Sequence, residues 1–204
     1  MKIIVIGATG TIGSEVVKAL SKRHEVIGVH RKSSPAVDIE TPATIDALLS
    51  NVKDVDAVVC CAGSGAFKPL VELTDEDIAY SLRSKLVGQV AVIRHAVKYL
   101  RDGGSVTVTS GTLAQNPMPG GAAISMINSG LEGFVRGAAL DAPRGIRVNV
   151  VSPPWLTETL IMFKMDPTHG MPAVDSAKAY VASVEGKQTG QTLDCTKFVQ
   201  GQST

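Results

Sequence analysis

Short apolar runs recur along the chain at Lys2 to Ile6, Glu25 to Val29, Ala57 to Cys61, Ser105 to Thr109, Arg147 to Val151 and near Gln191 to Cys195, with helix-like patterns between most of them. Runs that are apolar throughout, rather than alternating, predict strands buried on both faces, and alternation with helices predicts parallel crossovers. Between the fourth and fifth runs two helices carry apolar stripes: Ile78, Leu82, Leu86, Ile93 and Val97 on one, and Met126, Ile127, Leu131, Phe134 and Val135 on the other. Both stripes need burial. Helices on both faces of a parallel sheet satisfy them, and right-handed crossovers then give a doubly wound α/β fold with its ligand beyond the carboxyl ends of the strands. Gly7, Ala62, Gly63, Ser110 and Pro153 fall at that rim. No linker, internal repeat or low-complexity segment divides the chain, so one domain over residues 1–204 is expected.

The first run leads directly into Gly7-Ala-Thr-Gly-Thr-Ile-Gly13 and then into a helix expected to open at Ser14-Glu15-Val16-Val17. Spaced glycines alone are a weak signal. Between a buried strand and a helix they let backbone N–H groups approach a phosphate at the positive helix end, which favours a dinucleotide-binding Rossmann domain. Gly7, Thr9, Gly10, Thr11, Ile12 and Gly13 are therefore the first candidate cofactor ligands. After the second run, His30-Arg31-Lys32-Ser33-Ser34 stands where an acidic residue would hold the ribose hydroxyl of NAD. Arg31 can grip a 2′-phosphate in a bidentate way, with Lys32 and Ser33 as helpers, which points to NADP(H). The other reading is an ordinary solvated loop.

A net charge of +1 with both signs interspersed provides no footprint for nucleic acid or an anionic membrane, so a small-molecule ligand is expected. No apolar stretch approaches bilayer length and no basic leader precedes the first strand, which makes the cytoplasm the expected location. Cys60, Cys61 and Cys195 lack metal-ligand spacing and read as packing thiols, so neither a metal site nor a disulfide is expected.

These landmarks together resemble the short-chain dehydrogenase/reductase family over nearly the whole chain. Cys61-Ala62-Gly63-Ser64-Gly65 matches the family's Asn-Ala-Gly turn, Ser105 to Gly111 its strand to the catalytic serine, and Gly145-Ile-Arg-Val-Asn-Val-Val-Ser-Pro-Pro154 the strand before its Pro-Gly turn; Gln188-Thr-Gly-Gln-Thr-Leu193 looks like its last strand. The spacing of Gly7, Gly10 and Gly13 is that of extended and atypical members. The resemblance implies that Asp38 meets the adenine and that Ala62, Gly63 and Pro153 border the cofactor. Pro154 stands where a glycine is expected, which weakens a carry-over to Thr157.

The family's catalytic tyrosine and the lysine four residues later align with Ile124 and Asn128, so this chain lacks that pair. Strict spacing puts Gly111 at the serine position, and Ser110 can serve only if the loop shifts. The helix asparagine of the family's proton relay aligns with Lys85 in Ser84-Lys85-Leu86-Val87-Gly88, as though lysine and asparagine had changed places. Lys85, Asn128 and Ser110 are thus the candidate catalytic residues, with Lys85 turned to the pocket and Asn128 holding it or a water. A surface lysine on an amphipathic helix is the alternative. Thr109 and Thr112 are further candidates for orienting a carbonyl, and Ser125 would join them only with a different helix phase. His24 and His95 read as solvated, and His169 has no partner in evidence. The apolar segment Trp155 to Met165 is either a lid or a subunit contact. By resemblance, the helices around 76 to 100 and 120 to 140 form a dimer seam, implying a homodimer or homotetramer.

The expected function is NADP(H)-dependent oxidation or reduction of a carbonyl/alcohol substrate with a non-standard proton relay. The rivals are a catalytically silent NADP(H)-binding sensor and a structural domain that binds no nucleotide.

Overall fold

The computed structural model describes residues 1–199; the last five residues of the expected 1–204 span lie outside the described part. Six strands form one parallel sheet in the order β2-β1-β3-β4-β5-β6: β1 Lys2–Ile6, β2 Glu25–Val29, β3 Ala57–Cys60, β4 Ser105–Thr109, β5 Arg147–Ser152 and β6 Thr192–Asp194. The order reverses direction between the adjacent strands β1 and β3, which creates a crevice at the carboxyl edge. The expected doubly wound α/β architecture is present, with small corrections to strand ends. Cys61 lies just past β3, β5 runs on through Ser152, and β6 is confined to three residues.

Successive side chains along each strand feed opposite cores. Ile4, Ile6, Val58, Val106 and Val148 face one side, under α2 (Pro42–Asn51), α4 (Gly88–Tyr99) and α5 (Ala122–Asp141). Ile3, Val5, Val59 and Val151 face the other, under α1 (Thr11–Leu20) and α7 (Ala173–Glu185). Burying both faces explains why these strands are apolar without alternation.

Helix α1 starts at Thr11 and not at Ser14, because the glycine turn runs directly into it with Gly10 at the N-cap. The first striped helix is a composite. Helix α3 (Asp75–Ser81) opens on a Thr74/Asp77 capping box, passes through a π-helical turn at Leu82–Val87, and continues as α4. Of its expected stripe only Ile93 is fully buried, whereas Ile78, Leu82, Leu86 and Val97 are half-buried. On α5, Ile127, Leu131 and Val135 are buried as expected, Phe134 is half-buried and Met126 is 43% exposed. Two polar side chains, Asn128 and Glu132, turn inward instead. The remaining helices are α6 (Thr157–Met162) and α8 (Thr196–Val199). No helix of the described residues is long and apolar enough to cross a membrane.

Candidate active site

Two clefts meet at the carboxyl edge of the sheet and share Cys61, Gly63 and Ser64, so they form one groove. The glycine turn lies between them. Gly7 adopts a left-handed φ of 84°, its N–H donates to Val29 O at 2.9 Å, and Gly10 N–H donates to Gly7 O at 3.0 Å. Gly13 is buried behind the turn, where a Cβ would come within 2.0 Å of Gly7 O. The first-turn N–H groups of α1, from Thr11, Ile12 and Gly13, have no intrahelical acceptor and form the positive end of the helix.

The first cleft is lined by Gly7, Thr9, Gly10, Arg31, Asp38, Ala62 and Gly63 among others. Arg31 is exposed at its edge. Lys32 is exposed outside its lining, and its N–H donates to His30 Nδ1 at 3.2 Å. Ser33 departs from its expected helper role. Its hydroxyl accepts from His30 N–H at 2.9 Å and faces the carbonyls of His30 and Pro35 at 2.8 and 2.6 Å, so it shapes the loop. Asp38 accepts from Glu40 N–H at 3.0 Å and is itself held at its N–H by Thr44.

The second cleft encloses about 500 Å³ and contains Thr11, Ile12, Lys85, Ser110, Ile124, Asn128 and Pro153 in its lining. Lys85 reaches it because the π-helical turn widens the helix at that point, a device common at functional sites. Gly63, at φ 128°, lets the helix pass close, since a Cβ there would lie 3.1 Å from Lys85 Cα. Hydrogen bonds from Ser64 N–H to Ser84 Oγ and from Ala66 N–H to Ser81 Oγ stitch the same helix to the loop. Lys85 Nζ donates to Ser110 O at 2.9 Å, and burial pushes its pKa down to about 8. Desolvation favours the neutral amine.

Asn128 is buried, and its Nδ2 donates to Gly111 O at 3.1 Å. The two side chains thus engage consecutive carbonyls and not each other, whereas the sequence reading has Asn128 holding Lys85 or a water. Asn128 Oδ1 has no protein partner among the described residues. Ser110 also differs from expectation: its hydroxyl donates to the buried Glu132 Oε1 at 2.9 Å, and Glu132 Oε2 accepts from Gln115 Nε2. Ser110 therefore offers Lys85 its carbonyl while its hydroxyl is committed elsewhere. The end of β4 is fixed from behind by Gln89, whose amide bonds both the N–H and the carbonyl of Thr109 at 2.7 and 2.8 Å. Sequence reading missed Gln89 and Glu132; a polar residue among buried positions of a helix was their only signal.

Ile124 lies one turn before Asn128 in the same lining, and there is no tyrosine in that lining. Trp155 packs edge-on against Phe67 at 5.2 Å and Phe163 at 6.3 Å between ring centroids, so the outer wall is aromatic. Ser125 lines a different cleft, beside Phe67 and Pro119. His24 and His95 are not simply solvated: each bonds a carboxylate at 2.9 Å, Glu185 and Asp46 respectively, and His24 lies in the turn after α1. His169 is exposed in a loop. No cluster of His, Cys, Asp or Glu able to hold a metal occurs among the described residues.

A family model described as Enoyl-(Acyl carrier protein) reductase matches residues 7–190. The hydroxynaphthalene reductase-like protein Arp2 of Metarhizium brunneum is 29% identical over 176 residues, covering 74% of this chain and 66% of that protein. Hydroxynaphthalene reductase arp2 of Aspergillus fumigatus is 31% identical over 152 residues, covering 72% and 54%. The chain thus spans less than two thirds of the length of these relatives. A Listeria innocua protein of known crystal structure is 40% identical with a TM-score of 0.90, covering 95% of this chain and 98% of that one. A small-chain dehydrogenase crystallised with NADPH shares the fold at 24% identity and a TM-score of 0.85, covering 95% of both.

Proposed function

The chain belongs to the short-chain dehydrogenase/reductase family, and from that premise we propose that it is an NADP(H)-dependent oxidoreductase of a small carbonyl or alcohol in which Lys85 takes the proton-donor role. The observation that carries this reading is the position of Lys85 Nζ inside the cleft that adjoins the glycine turn, 2.9 Å from Ser110 O.

The residues present fit a dinucleotide. Bare backbone at Gly7, Gly10 and Gly63 along the groove, together with the N–H groups of Thr11 and Ile12, would hold the pyrophosphate. Arg31 would grip the 2′-phosphate and Asp38 would face the adenosine, with Ala62 and Pro153 bordering the groove. When bound, the dinucleotide supplies the hydride chemistry. The chain's own task is to orient the carbonyl and to move a proton. Lys85 Nζ, pointed by Ser110 O, hydrogen-bonds the substrate oxygen and gives it a proton as charge develops. Asn128 fixes Gly111 and holds the loop against which the substrate lies. Ser110 acts through its carbonyl.

The second reading, an NADP(H)-binding sensor without turnover, is favoured by the commitment of the Ser110 hydroxyl to Glu132 and by the apolar Ile124 in the lining. Calorimetry with NADPH and NADH, followed by NADPH oxidation across ketones and aldehydes, separates the two. The expected outcome is a preference for NADPH that falls at least about tenfold in Arg31→Ala, and turnover that Lys85→Met lowers by about 10² to 10⁴. Tight binding without turnover on any carbonyl would support the sensor, and no binding of either nucleotide would end both readings. Assembly through the exposed sides of α4 and α5 is part of the same proposal.

A further inference from the structure

Lys85 is the single charged side chain in the lining of its cleft among the described residues, so no carboxylate in that lining pairs with it. Its Nζ is directed by a hydrogen bond to Ser110 O at 2.9 Å. Glu132, behind Ser110, is bonded to Ser110 Oγ and Gln115 Nε2 and makes no ion pair with Lys85. A neutral amine that gives one N–H to a carbonyl keeps its lone pair free. Burial favours that form, lowering the Lys85 pKa to about 8. Cys61 brings the one thiol of the lining, but burial holds it well above the ordinary thiol range, so it stays protonated and unreactive. The amine is therefore the stronger nucleophile in the cleft.

The walls decide what can meet it. Phe67, Leu113, Ile124, Trp155 and Phe163 present apolar and aromatic surface around a space of about 500 Å³. Such walls favour an uncharged apolar molecule and offer a polar one nothing in exchange for its hydration. They also favour a condensation that expels water.

We propose that Lys85 is a nucleophile as well as a proton donor, and that the cleft captures apolar aldehydes as a reversible imine on Lys85 Nζ. The nitrogen lone pair attacks the aldehyde carbon, the carbonyl electron pair moves to oxygen, and that oxygen takes a proton from the nitrogen to give a carbinolamine. The nitrogen pair then expels hydroxide, which leaves as water with a proton from solvent, and the product is an iminium. No electrons are gained or lost. The iminium retains one N–H, which Ser110 O can still accept, so the carbonyl that points the amine also holds the charged product. An aldehyde leaves its carbonyl carbon open to this attack, whereas a ketone crowds it. The inference goes beyond the oxidoreductase reading: it uses the same cleft and does not depend on turnover.

The test incubates the full chain, without nucleotide, with benzaldehyde, hexanal or glyceraldehyde at a pH of about 8, where half of Lys85 is unprotonated. Sodium cyanoborohydride delivers hydride to the imine carbon and fixes it as a secondary amine. Peptide mapping by mass spectrometry then compares Lys85 with the exposed Lys22 and Lys187 and with the N-terminal amine. Benzaldehyde and hexanal are expected to modify Lys85 at least about tenfold faster than either exposed lysine, and glyceraldehyde to show no such preference. Trp155→Ala is expected to slow benzaldehyde at Lys85 and leave glyceraldehyde unchanged, a contrast that a general loosening of the fold would not produce. The proposal is overturned if Lys85 is modified no faster than Lys22 and Lys187, if glyceraldehyde labels it as fast as benzaldehyde, or if the adduct maps to the N-terminal amine alone. Trapping at Lys85 without NADPH oxidation on any carbonyl would sink only the enzymatic reading, and NADPH oxidation without trapping only this one.

Discussion

At the scale of single residues, Lys85 is where function and stability pull apart. Burial lowers its pKa from 10.5 to about 8 in the folded chain. Between those values the unfolded chain binds the proton more tightly, so stability rises with pH through that window, and near neutrality the half-buried ammonium costs at most about 3 kcal/mol. Lys85→Met is therefore expected to raise the urea midpoint at neutral pH and to flatten the alkaline rise. The same substitution is expected to lower carbonyl reduction by about 10² to 10⁴, the usual worth of a general acid. In the unsubstituted protein the reduction rate should be level below pH 8 and fall above it as the acid form is lost, which a pH series of NADPH oxidation would read directly. The sequence named Lys85 and Asn128 by position but misjudged what they touch. Side-chain direction at Ser110 is decided by Glu132 on a helix distant in sequence, and no local pattern carries that information.

At the scale of elements, most of the fold was legible because burial on both sheet faces imposes an unbroken apolar signature on each strand. The misread boundaries are those set by hydrogen bonding instead of hydrophobicity. Helix α1 begins three residues early because Gly10 caps it, and the π-helical turn at Leu82–Val87 is invisible to a stripe that spans it without interruption. The glycine turn shows the opposite case, in which sequence and packing agree closely. A Cβ at Gly13 would sit 2.0 Å from Gly7 O, closer than any contact allows, so the first turn of α1 and the loop cannot both keep their places. Gly13→Ala is expected to cost roughly 1–3 kcal/mol of stability through overpacking and to abolish measurable NADPH affinity by calorimetry. Gly137→Ala, on the open side of α5 where an added Cβ meets nothing within 4 Å in the single chain, is the matching control and should leave NADPH affinity unchanged.

At the scale of the whole molecule, the open side of α5 carries the argument for assembly. Gly133, Phe134 and Gly137 on α5 face Ile93, Arg94 and Val97 on α4 across a shallow cleft of about 410 Å³, with half-buried apolar side chains along it. Small residues at Gly133 and Gly137 leave room in one copy that a second copy's helices can occupy, and the half-buried state of Leu86, Val97 and Phe134 is what a seam between copies would complete. Bulk added there discriminates between packing within one chain and packing between two. Gly137→Trp meets no neighbour in the single chain at its Cβ and improves on glycine as a helix former, so its circular dichroism should match the parent. Light scattering should show a dimer or tetramer for the parent and a monomer for Gly137→Trp. A variant that assembles like the parent would move the seam to another face, and a parent that is monomeric at working concentration would remove it altogether.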